Sequence, residues 1–417
     1  MNGFQTSGTP VGSGTINNFA GAQINNSGIF YNGVKSTGTI TNDGGIANNL
    51  NAYFYNGYKA GGTGILTING TLVNDGDFSN GYNTGTGTLT NSSTGVFTNH
   101  GTLSNGVGST FTNAGIFNND GTFNNNSGAF FNNNSGASFN NTGIFVNNGT
   151  YKDLSASGFI NTGTLEGTGT INGNLTNNGT IAPGNSIGTL TIVGNYVHNA
   201  STIYEVQIDA SGNSDLILVK DTTPASGVGH ATLNGGTVDV LPLSPISEMR
   251  RYTILTADNG VTGTFDSSTT GTFSSPFMSS SLSYDFNNVY LDITSNFYDY
   301  AKTENQHSVT YVLDHIPSTT TGDMKDVMTC LINLPSVDAA LNAIDQISAK
   351  FTQHFPVQRF TRSTRTSKRL KTTGSGSARM ASTASGAVSG QAGSKGSVTV
   401  MVPISLQSMS ITSVAGS

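Results

Sequence analysis

The amino-acid sequence predicts an all-β chain: a parallel β-helix (a β-solenoid), followed by short amphipathic helices and a disordered basic tail. Three observations predict it. A short unit recurs, made of Gly, a small or β-branched residue, a large apolar residue and then Asn-rich turn residues. The large apolar residues of that unit stand mostly six to nine apart. Only 10% of the residues are charged, so Asn, Thr, Ser and Gly carry the polarity.

The repeat comes first in the chain. From about residue 95 it reads Gly95-Val96-Phe97, Gly101-Thr102-Leu103, Gly115-Ile116-Phe117, Gly121-Thr122-Phe123, Gly143-Ile144-Phe145, Gly149-Thr150-Tyr151, Gly163-Thr164-Leu165, Gly169-Thr170-Ile171 and Gly179-Thr180-Ile181. Looser copies precede it, such as Gly14-Thr15-Ile16, Gly38-Thr39-Ile40 and Gly70-Thr71-Leu72. A helix would place apolar residues three and four apart. Gly in each unit also opposes helix, by roughly 0.5–1 kcal/mol relative to Ala. A hairpin array needs strands of about 5–6 residues, whereas here the extended pieces are shorter and run at once into Asn corners. Three such sides make one coil of about 18–25 residues, stacked on the next with strands ~4.8 Å apart. The expectation is that Leu103, Phe111, Phe117, Phe123, Phe130, Phe139, Phe145 and Tyr151 point into the bore. Most asparagines are expected at corners, and a minority in inward amide ladders like those of cross-β stacks. This gives a repetitive solenoid over residues 1–181.

Residues 182–296 read as a cap with longer strands. Tyr204–Ile208, Asp215–Val219, Ala231–Val240, Arg251–Thr256 and Asn288–Ile293 show apolar alternation, as strands with one buried face do. A bare solenoid end invites aggregation, and a better-packed terminal segment covers it. Residues 297–356 change period. Val309, Val312, Leu313 and Ile316 fall at helical spacing, as do Met324, Val327, Met328, Leu331 and Ile332, and then Val337, Leu341, Ile344 and Ile347. Pro335 sits at a helix start. Residues 357–417 are Ser/Thr/Gly-rich and lack sustained periodicity, with Val398–Val402 the one stretch that reads as a strand.

Charge separates these parts. Residues 1–345 hold 8 Lys+Arg and 23 Asp+Glu, whereas residues 346–417 hold 9 Lys+Arg and no acid. A like-signed tail of this kind reads as solvated chain. No aromatic residues alternate with Arg362, Arg365, Lys368, Arg369 and Lys371, so a nucleic-acid partner is not expected. Cys330 is the single cysteine, which excludes an internal disulfide, and it reads as a buried core thiol. Met1–Thr6 has neither a basic n-region nor an apolar run, so no signal peptide is expected there. No stretch approaches the ~20 apolar residues of a membrane helix.

The segment Pro183-Gly184-Asn185-Ser186-Ile187-Gly188-Thr189-Leu190 resembles the C-terminal passenger region of bacterial autotransporters (type V secretion). So do Ala231–Val238, Arg251–Ala257, Gly263-Thr264-Phe265 and Leu282–Asp285, in that order. Asn305-Gln306 and Leu341–Ser348 look like the helices that lead into that family's barrel. The resemblance covers roughly 180–350 and implies a right-handed β-helix exported through a C-terminal β-barrel. It also implies an autochaperone-like role for 182–296 and a place at the outer membrane, on the cell surface or outside the cell. Barrel strands need ~9–11 residues each, and a set of them does not fit the 67 residues after 350. The expectation is therefore a truncated copy, or a product shifted out of frame near residue 350.

No catalytic, cofactor-binding or metal site is expected. His100, His198, His230, His307, His315 and His354 lack metal-ligand neighbours at motif spacing. No phosphate loop or calcium nonapeptide repeat is present. Asp75 and Asp77 form a candidate carboxylate pair but read as corner residues, and the Phe stripe reads as bore packing rather than a sugar platform. The function read from the sequence is a non-enzymatic, adhesin-like or structural surface passenger, with host or neighbouring cell surfaces or further copies of itself as partners. The alternatives are a β-helical enzyme acting on polysaccharide and a non-functional gene remnant.

Overall fold

A computed structural model describes residues 2–4, 13–221, 227–270, 273–354, 397–404 and 407–414. The chain forms two compact units, Met1–Ser295 and Asn296–Ser417. The first is a parallel β-solenoid. Its strands fall into three sheets of 12, 13 and 11 among the described residues, and each strand pairs with the strand three places on in sequence except at the end of the 13-stranded sheet.

A repeat strand has four residues, Thr, a large apolar residue, a variable residue and Asn, as in Thr110–Asn113 and Thr122–Asn125. Alternation sends the second and fourth residues inward. The interior is therefore built from one apolar and one amide side chain per side of each coil. Register stacks like on like: Phe97 on Phe117, Phe117 on Phe139, Phe123 on Phe145, and Phe131 on Tyr151. The rings follow suit. Phe117 and Phe139 lie 5.1 Å apart and nearly parallel, while Phe131 meets Phe139 edge-on across the bore at 5.0 Å. Stacked contacts along the axis and edge-on contacts across it are the two favoured aromatic geometries.

Leu103, Phe111, Phe117, Phe123, Phe139, Phe145 and Tyr151 are buried as expected. Phe130 is a correction: it is 48% exposed, and Phe131 takes the bore position. Two adjacent aromatics leave the inward one undecided, and the inward Asn133 two residues on settles it in favour of Phe131.

The strand Thr180–Pro183 carries the stack without a break into the more varied coils, pairing with Ile203–Ile208. The expected strands of this part are present, including Leu216–Lys220, Ala231–Asn234, Thr237–Pro242 and Arg250–Ala257. The second sheet ends differently from the rest. Arg250–Ala257 pairs antiparallel with Asn288–Ser295, which pairs antiparallel with Met278–Tyr284. Arg251 grips Asp292 there with two bonds, of 2.8 and 3.1 Å.

The second unit holds α1 (Glu304–Asp314), α2 (Asp323–Ile332) and α3 (Val337–His354). Thr303 and Gln306 form a reciprocal capping box at the start of α1. The expected apolar face of α2 is buried at Met324, Val327, Met328, Leu331 and Ile332. That of α1 is corrected: Gln306, Thr310 and Leu313 are buried, while Val312 is exposed. Thr310 satisfies its hydroxyl on the Gln306 carbonyl at 2.8 Å, so a polar residue can take the inner face. Cys330 is also corrected, being exposed. At 100° per residue it lies about 130° from the centre of the buried stripe of α2.

Val398–Val402 lies within the strand Ser397–Ile404, which pairs antiparallel with Gln407–Val414. Residues 355–396, the greater part of the expected disordered tail, lie outside the described residues.

Candidate functional site

The inward asparagines form three columns. In one, Asn26, Asn48, Asn74, Asn99, Asn119, Asn141, Asn161 and Asn177 each pass an amide hydrogen bond to the next, at 2.7–2.9 Å. A second runs Asn32, Asn56, Asn80, Asn105, Asn125 and Asn147. The third runs Asn18 to Asn42, is interrupted at Ile68, and resumes from Asn91 through Asn113 to Asn133 and Asp153. The spare amide proton of most members reaches a backbone carbonyl at the start of the following side, as Asn74 does to Thr102 and Asn99 to Thr122. A buried amide has both of its functions to satisfy. The columns do this with neutral amides at every member except the terminal Asp153, so the bore is filled and given to structure. Whatever the solenoid binds must meet its outer surface.

On that surface one feature stands out, on the first sheet. The strands Ile29–Val34, Tyr53–Tyr58 and Asp77–Tyr82 stack in register. Tyr31, Tyr53 and Tyr55 take outward positions by alternation. Gly33, Gly57 and Gly81 then adopt φ of 78°, 87° and 82°. A Cβ on Gly57 would stand 2.0 Å from the Thr86 carbonyl oxygen, and one on Gly33 2.1 Å from that of Thr63. Only glycine fits such a position. The positive φ interrupts the alternation, so Tyr58 and Tyr82 join the outward group. Tyr55 is at its centre, with ring centroids 4.9 Å from Tyr82, 5.1 Å from Tyr58 and 5.3 Å from Tyr31. Tyr53 and Tyr82 are 41% and 47% exposed. Burial first, then the neighbouring phenols, pushes Tyr55 up to about 12, which keeps its hydroxyl protonated as a donor. Lys35 and Lys59 follow these strands at positive-φ corners, and the Lys59 ammonium stands 5.1 Å from the centre of the Tyr58 ring.

The sequence expectation of bore packing for the Phe stripe holds, and the exposed aromatic surface is this tyrosine group instead. Its signal was available: Phe-Tyr-Asn-Gly at 30–33 and again at 54–57, and Phe-Ser-Asn-Gly at 78–81. The Gly-x-apolar unit does not describe these strands, because their glycine lies near the end.

Two other clusters lie outside the columns. At one corner of the coils Asp75, His100, Asp120 and Thr142 follow one another. His100 Nδ1 lies 2.8 Å from Asp75 and its Nε2 3.6 Å from Asp120, and Thr142 donates to Asp120 at 2.6 Å. Asp75 is thus a corner residue, while Asp77 opens the following strand. The partners of His100 are carboxylates, which suits a clasp between coils better than a proton relay to a nucleophile. Inside the later coils, His198 is fully buried between the Tyr196 and Thr202 hydroxyls, each at 2.7 Å. Thr202 donates to the Asn199 carbonyl, so it accepts from His198 Nε2, and Nδ1 accepts from Tyr196. Burial lowers the His198 pKa to about 4 and keeps the ring neutral. Asp215 accepts from the Gly188 and Gln207 backbone N–H groups, both at 2.8 Å, and burial raises its pKa to about 6. Among the described residues no group of three His, Cys, Asp or Glu could hold a metal ion. No helix among them is long and apolar enough to cross a membrane, which leaves strand-built spans untouched.

No protein-family model matches the chain. Over 173 residues it is 33% identical to an extracellular serine protease of Serratia marcescens, across 38% of this chain and 15% of that protein. The chain therefore spans a small part of the length of that relative.

Proposed function

We propose that the chain is the passenger portion of an autotransporter-type surface protein, displayed outside the cell, non-enzymatic and adhesin-like. Its partners are then host or neighbouring cell surfaces, or further copies of itself. The observation that carries this reading is the division of labour in the solenoid: a repeat interior filled by stacked apolar side chains and amide columns, and an outer face bearing exposed aromatics with no catalytic constellation beside them among the described residues. Similarity to an extracellular protein and the sequence resemblance over residues 180–350 support the location.

The experiment is surface proteolysis. Intact cells expressing the chain in its native genetic setting are treated with protease and probed with antibody against residues 14–181. Loss of signal without lysis is expected. Signal that disappears only after lysis overturns surface display. In the same preparation, turnover of casein or release of reducing ends from polysaccharide would overturn the non-enzymatic reading.

A further inference from the structure

We infer that the tyrosine group on the first sheet, with Lys35 and Lys59 beside it, binds a linear acidic polysaccharide of the polyuronate type. The inference deepens the adhesin-like reading proposed above and rests on it for its biological setting.

Three features point to this ligand. The rings of Tyr55, Tyr58 and Tyr82 form a stepped aromatic plate: Tyr58 and Tyr82 are parallel within 7°, Tyr55 is tilted 46° and 40° from them, Tyr82 is exposed and the other two are half-buried. The axial C–H bonds of a pyranose are weakly positive, and an aromatic face is electron-rich, so sugar rings stack on such plates. The plate also carries polar handles. Tyrosine hydroxyls held in the protonated form donate to ring and hydroxyl oxygens, which a phenylalanine plate could not do. The group runs as a column along the solenoid axis at the ~4.8 Å strand spacing, with Tyr31 in the first coil, Tyr53, Tyr55 and Tyr58 in the second and Tyr82 in the third. A column matches a chain of sugars better than a compact molecule.

Charge chooses among sugars. Lys35 and Lys59 stand in successive coils, at the corner where these strands end. Asp77 opens its strand at the opposite end, next to Tyr53 in register. The cations therefore border Tyr58 and Tyr82, and the single acid of these strands lies away from them. An anionic chain is steered to the lysine side, and its carboxylates pair there while its rings lie on tyrosine.

The test is affinity electrophoresis of the full chain in gels containing polygalacturonate or, separately, neutral dextran. Retardation by polygalacturonate at low salt is expected, weakening as salt screens the lysines. Tyr55→Ala and Tyr82→Ala should each lower the affinity about tenfold, which corresponds to 1.4 kcal/mol. Tyr55→Phe should lower the affinity less than Tyr55→Ala, because the ring remains while the hydroxyl donor is lost. Lys35→Gln combined with Lys59→Gln should remove the preference for polygalacturonate over dextran. Should Tyr55→Ala alter the circular dichroism, the more exposed Tyr82 carries the test. Absence of retardation by polygalacturonate, equal retardation by dextran, or wild-type retardation of a folded Tyr82→Ala variant each overturns the proposal. Surface proteolysis is read independently. Display without retardation removes this inference alone, and retardation without display removes the surface reading alone.

Discussion

The coils up to about residue 181 and the coils after it have the same fold but are held together differently. In the earlier coils most interior polar groups are neutral amides bonded to their copies in the next coil, and register steps run from 16 to 26 residues along one column. Any coil presents what any other coil needs. In the later coils the columns have ended: on the third side Asn177 faces His198, on the first Asn147 faces Gly167, and on the second Asn133 meets Asp153. The pairings beyond those ends are each made once. His198 has two hydroxyl partners, Asp215 two backbone donors, and Arg251 and Asp292 pair across an antiparallel turn-back. The difference teaches that a translational ladder stabilises a stack without saying where it stops. Unique pairings supply the stop, together with antiparallel strands that cannot accept another parallel coil.

If that contrast is right, one inward asparagine matters more than its single side chain suggests. Asn119 accepts from Asn99, donates to Asn141 at 2.7 Å and donates to the Ile144 carbonyl at 3.0 Å. Asn119→Leu leaves the Asn141 Oδ1 without its donor and takes one partner each from the Asn99 amide and the Ile144 carbonyl, at about 1–3 kcal/mol each. After the gain from burying leucine, a net loss of about 4 kcal/mol is expected. Hydrogen exchange should show the loss in the coils on both sides of residue 119, with the coils after 200 keeping their protection. Uniform loss across both regions would mean the ladder is not a separable element.

Much of this contrast was legible in the sequence. The Gly-x-apolar unit gave the bore, and the switch to alternating Val, Ile and Tyr after 182 gave the longer strands. The limits are physical. Phe130 and Phe131 are equivalent until the inward Asn133 fixes their parity. The amphipathic pattern of α1 pointed at Val312, but a threonine bonded to its own helix can replace an apolar residue on the inner face. Cys330 adjoins Leu331 in sequence, and one residue is enough to rotate a side chain off a helix face. The tyrosine plate depends on a glycine with positive φ, which inverts the alternation that a strand reading assumes. The strand Gln407–Val414 alternates only briefly, at Met409 and Ile411, and is defined by pairing with Ser397–Ile404.

Acid separates the two regions next. His198 falls from 6.5 in the unfolded chain to about 4 when folded, so the unfolded chain takes up a proton that the folded one refuses, and stability is lost as pH falls from 6.5 to 4. Asp215 rises from 3.8 to about 6, so the folded chain holds the extra proton, and stability is gained as pH falls from 6 to 4. The two nearly cancel. Asp215→Asn removes the gain and leaves the loss, on the order of 3 kcal/mol for a fully buried ring. Denaturation followed at pH 6.5 and pH 4 should show the variant losing stability that the wild type keeps. Hydrogen exchange should place that loss after residue 182. An equal loss in the coils before 150 would contradict the assignment, because their amide columns do not titrate.

The smallest effect sharpens the comparison from inside the ladder. Ile68 occupies a column position between Asn42 and Asn91, and the Asn91 Oδ1 is left buried with no donor. Ile68→Asn would supply that donor and a partner for Asn42, while removing a fully buried aliphatic group worth roughly 1.5–3 kcal/mol. Two amide bonds, one at about 1 kcal/mol and one relieving the unsatisfied oxygen at about 1–3 kcal/mol, offset that loss. The net change should lie within about 1 kcal/mol. The telling measurement is therefore structural: the side-chain amide resonance of Asn42 should shift on forming the new bond, and the position 68 amide should be slow to exchange. A rapidly exchanging amide at 68 would mean that the column tolerates gaps by local packing. The register of the stack would then be set by the aromatic rings rather than by the asparagines.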